Sequence, residues 1–253
     1  MRSLCLPFAL AACAGAAALL PGLAAAQDRI TEYTAEYEVH YKGRRVARAE
    51  FGVTADAGGH YTFSASTRAR GLLRLASPNP AVERSRFRVE DGSIRPSRFE
   101  FEDGSRRGED NFAVEFDAAA NEVRLTTSAG TTTLPGDAGL LDRGSLQVAL
   151  MRELGACELP GPYRYVDDDG VRTYRYERIE DLPAETGIGA LATVRFSQER
   201  EGSSRRTILW LAPDLAYLPV RIEQIRDGEI ETVFSLESVA GIEREASGCS
   251  GFR

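Results

Sequence analysis

Apolar and polar residues alternate along most of this chain. From Tyr33 onward, Tyr33, Ala35, Tyr37, Val39 and Tyr41 share one face, while Thr34, Glu36, Glu38 and His40 share the other. Past Lys42-Gly43, Ala47, Ala49, Phe51 and Val53 keep the same step, and past Gly58-Gly59 so do Tyr61 and Phe63. A period of two, punctuated by turn residues, is the mark of half-buried antiparallel strands joined by hairpins. It returns at Phe87 and Val89, at Phe99 and Phe101, at Phe112, Val114 and Phe116, and at Val123 and Leu125. The interlude GLLRLASPNP is too short and too rich in proline for a lasting helix.

The rhythm changes once. In LPGDAGLLDRGSLQVALMRELG, Leu146, Ala149, Leu150 and Leu154 follow the spacing of an amphipathic helix, with Asp142 or Ser145 as its cap and Gly155 as its end. Strands resume in YRYVDDDGVRTYRYE, which reads as a hairpin about Asp169-Gly170. That turn sets Tyr165 opposite Tyr174 and Tyr163 opposite Tyr176, with Arg164 facing Arg175 on the reverse side. The acidic DDDG lacks the ligands of a calcium loop and fits a turn. Four more strands follow. Ala212-Pro213-Asp214 ends one and Pro219 begins the next, because proline has no amide hydrogen for a ladder. The one tryptophan, Trp210, stands beside that corner as a plug for the end of the core.

About a dozen strands and one main helix predict an all-β, mainly antiparallel fold, a strongly curved sheet forming an open or partly closed β-barrel. With strands roughly 20 Å long at ~4.8 Å spacing, one sheet face covers on the order of 1,000 Å². A helix ~16 Å long shields only a minor part of it. The remainder must be hidden by curling, by a second sheet, or by an apolar guest in a cavity. Tyr163, Tyr165, Tyr174, Tyr176 and Trp210 are the candidate ligand-binding residues. A buried tyrosine hydroxyl needs a partner, and a ligand head group can supply one.

Residues 1–26 carry one charge, Arg2, then an alanine-rich apolar run broken at Pro21-Gly22 and closed by Ala24-Ala25-Ala26. That is the pattern of a secretory signal peptide. Leu10-Ala11-Ala12-Cys13 offers an alternative, a lipoprotein anchored at Cys13. Residues 27–253 are expected to form a single periplasmic β domain with no transmembrane span. The formal net charge is −7, and removal of Arg2 with the leader makes it −8. That sign argues against nucleic acid as a partner and against non-specific adhesion to anionic lipid. Outside the leader only Cys157 and Cys249 remain, an even pair in an oxidising compartment, and they are expected to bridge.

Candidate chemistry changes the picture little. There is no Gly-x-Ser-x-Gly elbow, no His-Glu-x-x-His and no paired Cys-x-x-Cys. His40 and His60 fall at exposed or strand-end positions, and no carboxylate pair stands out. No catalytic residue, metal site or cofactor is assigned.

Four stretches carry a family resemblance: YEVHYKGRRVARAEF, GSIRPSRFEFED, LDRGSLQVALMREL and LWLAPDLAYLPVRIE. They resemble the exported bacterial proteins grouped as DUF3108. The last, a Trp-x-x-Pro-Asp-x-x-x-x-Pro-Val-Arg string, is the most specific. The family has no established activity and so implies no catalytic residues. More distantly, the pattern is similar to open-barrel envelope proteins of the lipoprotein-carrier type, which shelter acyl chains in a concave sheet. The lid of several helices found in those carriers has no counterpart here. Together these readings imply a non-enzymatic envelope protein that holds a lipid or other apolar molecule. The alternatives are a structural or assembly factor working through protein contacts at sheet edges and, with less support, a hydrolase of envelope polymers.

Overall fold

The computed structural model describes residues 30–75, 77–245, 249 and 252, so the predicted leader and Cys13 lie outside the described residues. The first half of the chain is a run of strands: β1 (Tyr33–Tyr41), β2 (Arg44–Ala55), β3 (Tyr61–Ala69), β4 (Ala81–Glu90), β5 (Ser93–Glu102), β6 (Phe112–Asp117), β7 (Glu122–Thr127) and β8 (Gly130–Pro135). The short β9 (Leu140–Leu141) leads into helix α1 (Arg143–Gly155). The second half comprises β10 (Tyr163–Asp167), β11 (Gly170–Ile179), β12 (Ala184–Thr186), β13 (Gly189–Leu191), β14 (Val194–Arg200), β15 (Arg205–Ala212), β16 (Leu218–Arg226) and β17 (Glu229–Ala240).

Fifteen strands form one sheet in the order β8-β7-β6-β5-β4-β3-β2-β1-β17-β16-β15-β14-β11-β10-β9, and β12 and β13 pair separately. The predicted alternation is what folds it. Tyr33, Ala35, Tyr37 and Val39 are buried on β1, and Ala47, Ala49, Phe51 and Val53 on β2. Their hairpin closes on Lys42-Gly43, both at positive φ (47° and 76°), the twist that a two-residue turn needs. Each half is therefore a meander, and the pairing of β1 with β17 sews the halves together at the middle of the sheet.

Among the described residues the sheet does not close by hydrogen bonds. It rolls until Leu140 on β9 and Val166 on β10 pack against Phe99, Phe112, Val114 and Leu125 on β5, β6 and β7. All pairings in the large sheet are antiparallel except β9 with β10. The result is an open barrel.

Helix α1 does not lie over this roll as a small outer shield. It packs against β3, β4, β5 and β10 within the concavity. Its buried residues, Gly144, Ser145, Leu146, Val148, Ala149, Leu150 and Leu154, spread around most of its circumference. Gly144 is where it comes closest: a Cβ there would lie 2.6 Å from Phe63 Cδ1 and 2.7 Å from Ser85 Cβ. The helix fills space that the sequence left to curling or to a guest.

Both ends of α1 are specified locally. Asp142 takes the cap, accepting hydrogen bonds from the backbone N–H groups of Gly144 and Ser145, while the Ser145 hydroxyl oxygen accepts one from the Asp142 N–H, a capping box. The helix ends at Gly155, as expected. Cys157 at φ 63° takes the left-handed position. The Cys157 N–H donates to Leu154 O and the Glu158 N–H to Glu153 O, the two bonds of a Schellman cap. Cys157 is joined to Cys249 by a disulfide across 92 residues of chain, with Cα atoms 5.4 Å apart.

The tyrosine hairpin differs in register from the expected one. Tyr163 pairs with Tyr174, Tyr165 with Arg172, Arg164 with Thr173, and Asp167 with Gly170, so the turn is Asp168-Asp169. The offset is two residues. An even offset keeps every side chain on its face, so the expected ring partners still meet, diagonally. Tyr165 stacks on Tyr174 at 4.4 Å between centroids, and Tyr163 meets Tyr176 edge-on at 5.4 Å.

Candidate functional site

A cleft of about 1270 Å³ opens at one end of the barrel, beside the C-terminal half of α1. Several separate parts of the chain build it. Val148, Ala149 and Met151 project from the helix, and Tyr163 stands beside them on β10. Ile30 and Tyr33 come from the start of β1, and Ile94 follows the Asp91-Gly92 hairpin. The corner between β15 and β16 contributes Pro213 and Tyr217, where two left-handed residues, Ala216 (φ 51°) and Tyr217 (φ 58°), turn the chain back. This cleft is larger than a typical small-molecule pocket of about 300–1,000 Å³.

Its floor is apolar and its rim is acidic. Asp91, Glu153, Glu158, Asp214, Glu243 and Glu245 surround the opening, against one guanidinium, that of Arg152. Arg152 is engaged, donating from Nη1 to Gly92 O at 2.6 Å and so tying the helix to the β4–β5 turn. The Tyr163 hydroxyl donates to Glu153 Oε2. Burial pushes the Glu153 carboxyl up, and that hydrogen bond pulls it partly back. Burial also raises the Tyr163 phenol, so the hydroxyl stays protonated and works as a donor.

Of the five residues proposed from sequence, Tyr163 lines the cleft. Tyr176 packs against its ring from behind, and the Tyr165–Tyr174 stack continues that aromatic layer. Trp210 stands elsewhere. It alternates with Leu209 and Leu211, which enter the core, and so faces the other side of β15. There it forms a ladder with its cross-strand neighbours. The Arg195 guanidinium lies 4.0 Å and that of Arg221 5.6 Å from its ring centroid, and Arg221 in turn donates to Glu223. Glu153, Met151 and Tyr217 were not singled out from sequence. The Glu153 signal was available, as a carboxylate one turn before a helix end that a disulfide fixes.

A second polar group sits at the unclosed seam. The Arg143 guanidinium lies 4.8, 5.1 and 5.5 Å from the ring centroids of Phe101, Phe112 and Phe99. It reaches Glu83 on β4 at 3.2 Å and Asp167 on β10 at 3.7 Å, and Arg200 meets Asp167 at 3.6 Å. Burial pushes the Glu83 carboxyl up, with Arg143 opposing. The group joins β4 and β10, two strands that do not pair with each other. The three aspartates Asp167, Asp168 and Asp169 lie close together. Arg143 and Arg200 meet Asp167, and Arg172 meets Asp169 at 2.7 Å, as a turn in an arginine-rich surface would require. His60 is paired with Asp56 and Arg88, and His40 with Glu38.

A family model described as a protein of unknown function, DUF3108, matches residues 36–235. No curated protein matches the chain in sequence. Among solved structures, the chain is similar to a β-barrel-like protein of the domain of unknown function DUF1849 from Brucella abortus. That match has 12% identity and a TM-score of 0.50, covering 85% of this chain and 98% of that one. A protein from Bacteroides fragilis described as exported, with a YmcC-like fold, aligns at 11% identity and TM-score 0.36 over 82% of this chain and 95% of that one. One from Parabacteroides distasonis described as a lipoprotein aligns at 9% identity and TM-score 0.35, over 83% and 95%. The first of these likenesses supports the barrel-like fold. Among the described residues, no helix is long and apolar enough to cross a membrane.

Proposed function

Because the chain belongs to the DUF3108 family, whose description assigns no activity, we propose a function from geometry: a non-enzymatic periplasmic protein that binds a lipid or other apolar molecule in the cleft beside α1. One observation supports this above the others. The helix and the aromatic side chains fill the middle of the roll, yet about 1270 Å³ with an apolar floor stays open at one end. The leader predicted over residues 1–26 and the Cys157–Cys249 bridge favour an oxidising, exported setting. In this reading Tyr163 contacts the guest, Tyr176 holds the Tyr163 ring in place, and Tyr165 and Tyr174 back them both. Trp210 stays outside. The acidic rim repels an anionic head, so the guest carries a neutral or cationic polar end.

Two probes sharing one ring system test both parts. N-phenyl-1-naphthylamine is neutral, and 8-anilinonaphthalene-1-sulfonate adds one negative charge. The neutral probe should brighten on binding and the sulfonate should bind roughly tenfold more weakly, a difference of about 1.4 kcal/mol. Met151→Trp, which fills the cleft, should weaken the neutral probe by about the same factor while the melting temperature holds. Absence of brightening, or brightening indifferent to Met151→Trp, would overturn the proposal.

A further inference from the structure

The end of the barrel opposite the cleft has a different character. Strand β1 starts at the cleft with Tyr33 and runs to Tyr41 at that far end. Between β3 and β4 the chain there makes the tight turn Gly71–Leu75, in which no residue is buried. Leu72 is 84% exposed, Leu75 74% and Leu73 49%, with Tyr41 (44%) and Ile230 (48%) on neighbouring hairpins. Among the described residues these are five of seven exposed large apolar side chains. Single exposed leucines are ordinary on a protein surface, but a group at one end marks an interaction surface.

Charge says what that surface meets. From Thr67 to Val82 the chain carries Arg68, Arg70 and Arg74 and no carboxylate, in a protein with 38 acidic residues and a net charge of −7. The Arg70 N–H donates to Val46 O at 2.8 Å, which holds this turn beside the start of β2 with Arg44 and Arg45. The carboxylates on these hairpins are Glu38, with Arg45 and Arg70, Glu231, with Lys42, Asp227, with Arg226, and Glu229, and the cations Lys42, Arg44, Arg45, Arg68, Arg70, Arg74 and Arg226 outnumber them. The overall charge would repel an anionic bilayer, but at this end the local sign is reversed. Leucine tips collared by arginines match a lipid interface, where apolar side chains enter the acyl boundary and guanidinium groups meet phosphates. We infer that the Gly71–Leu75 turn docks this protein on the anionic surface of a lipid membrane, independently of any guest in the cleft.

Flotation of the purified protein with phosphatidylethanolamine vesicles containing increasing phosphatidylglycerol tests this. Bound protein should rise with the anionic fraction and fall with added salt, because exposed charges are screened. Leu72→Ser with Leu75→Ser should weaken binding roughly tenfold or more without moving the melting temperature, since neither side chain is buried. Arg70→Gln with Arg74→Gln should flatten the salt dependence. No flotation with phosphatidylglycerol, or equal flotation of the leucine variant, would overturn the inference. So would a co-purifying protein lost from the leucine variant while vesicles are ignored, which would make the turn a protein-docking site instead.

Discussion

Asp142 is held by interactions that pull its ionisation in opposite directions. Its carboxylate accepts from the N–H groups of Gly144 and Ser145, each at 2.9 Å, and from the Ser85 hydroxyl at 2.8 Å, all of which favour the charged form. Burial outweighs them and raises its pKa to about 6. The native state thus holds a proton that the unfolded chain has already released. The associated stability is fully present below the ordinary carboxylate pKa and is lost as pH rises through about 6. Asp142→Asn keeps a good cap and removes the titration. Relative to that variant, the wild-type melting temperature should rise as pH is lowered from about 7 to about 5, by an amount reflecting at most 2–3 kcal/mol. A gap that ignores pH would show that the carboxyl stays ionised. At this scale the sequence was partly legible. Asp142 was readable as a cap, but its hydrogen bond from Ser85, 57 residues away, leaves no trace in local spacing.

Gly144 shows how an element can be recognised while its place in the molecule is not. The spacing located α1 and offered Asp142 or Ser145 as its cap, yet did not show that the helix enters the barrel. A helix buried on several sides loses the clean one-sided pattern from which position is inferred. Gly144→Ala separates the two descriptions. Helix propensity alone would make alanine about 1 kcal/mol better. Contact with Phe63 and Ser85 at 2.6 and 2.7 Å should instead make the variant less stable, by about 1–3 kcal/mol. Chemical denaturation decides the sign. In the tyrosine hairpin the turn lies one residue earlier than expected and the pairing is offset by two, but facing was legible because parity survives an even slip. An odd slip would have turned Tyr163 away from the cleft.

For the molecule as a whole, the strands and the barrel class were legible because alternation is a local property repeated many times. The cleft was not. Its walls come from the start of β1, the end of α1, the β15–β16 corner and Ile242, which only the finished roll brings together. The same long-range character governs stability. The Cys157–Cys249 bridge spans 92 residues, and the chain-entropy model assigns such a loop about 4–5 kcal/mol. Cys249→Ser should lower unfolding stability by an amount of that order, and reductant should do the same to the wild type but nothing further to the variant.

The ladder between β1 and β17 has a consequence for how this protein is made. One edge of β1 is taken early by β2, but the other waits for Glu229–Ala240, which follows every other strand of the sheet in chain order. Until then the two meanders are separate halves, each with a bare strand edge and part of its greasy surface wet. The barrel therefore takes shape only when its last strand joins its first, and any delay in that meeting leaves both halves open to pairing with another chain.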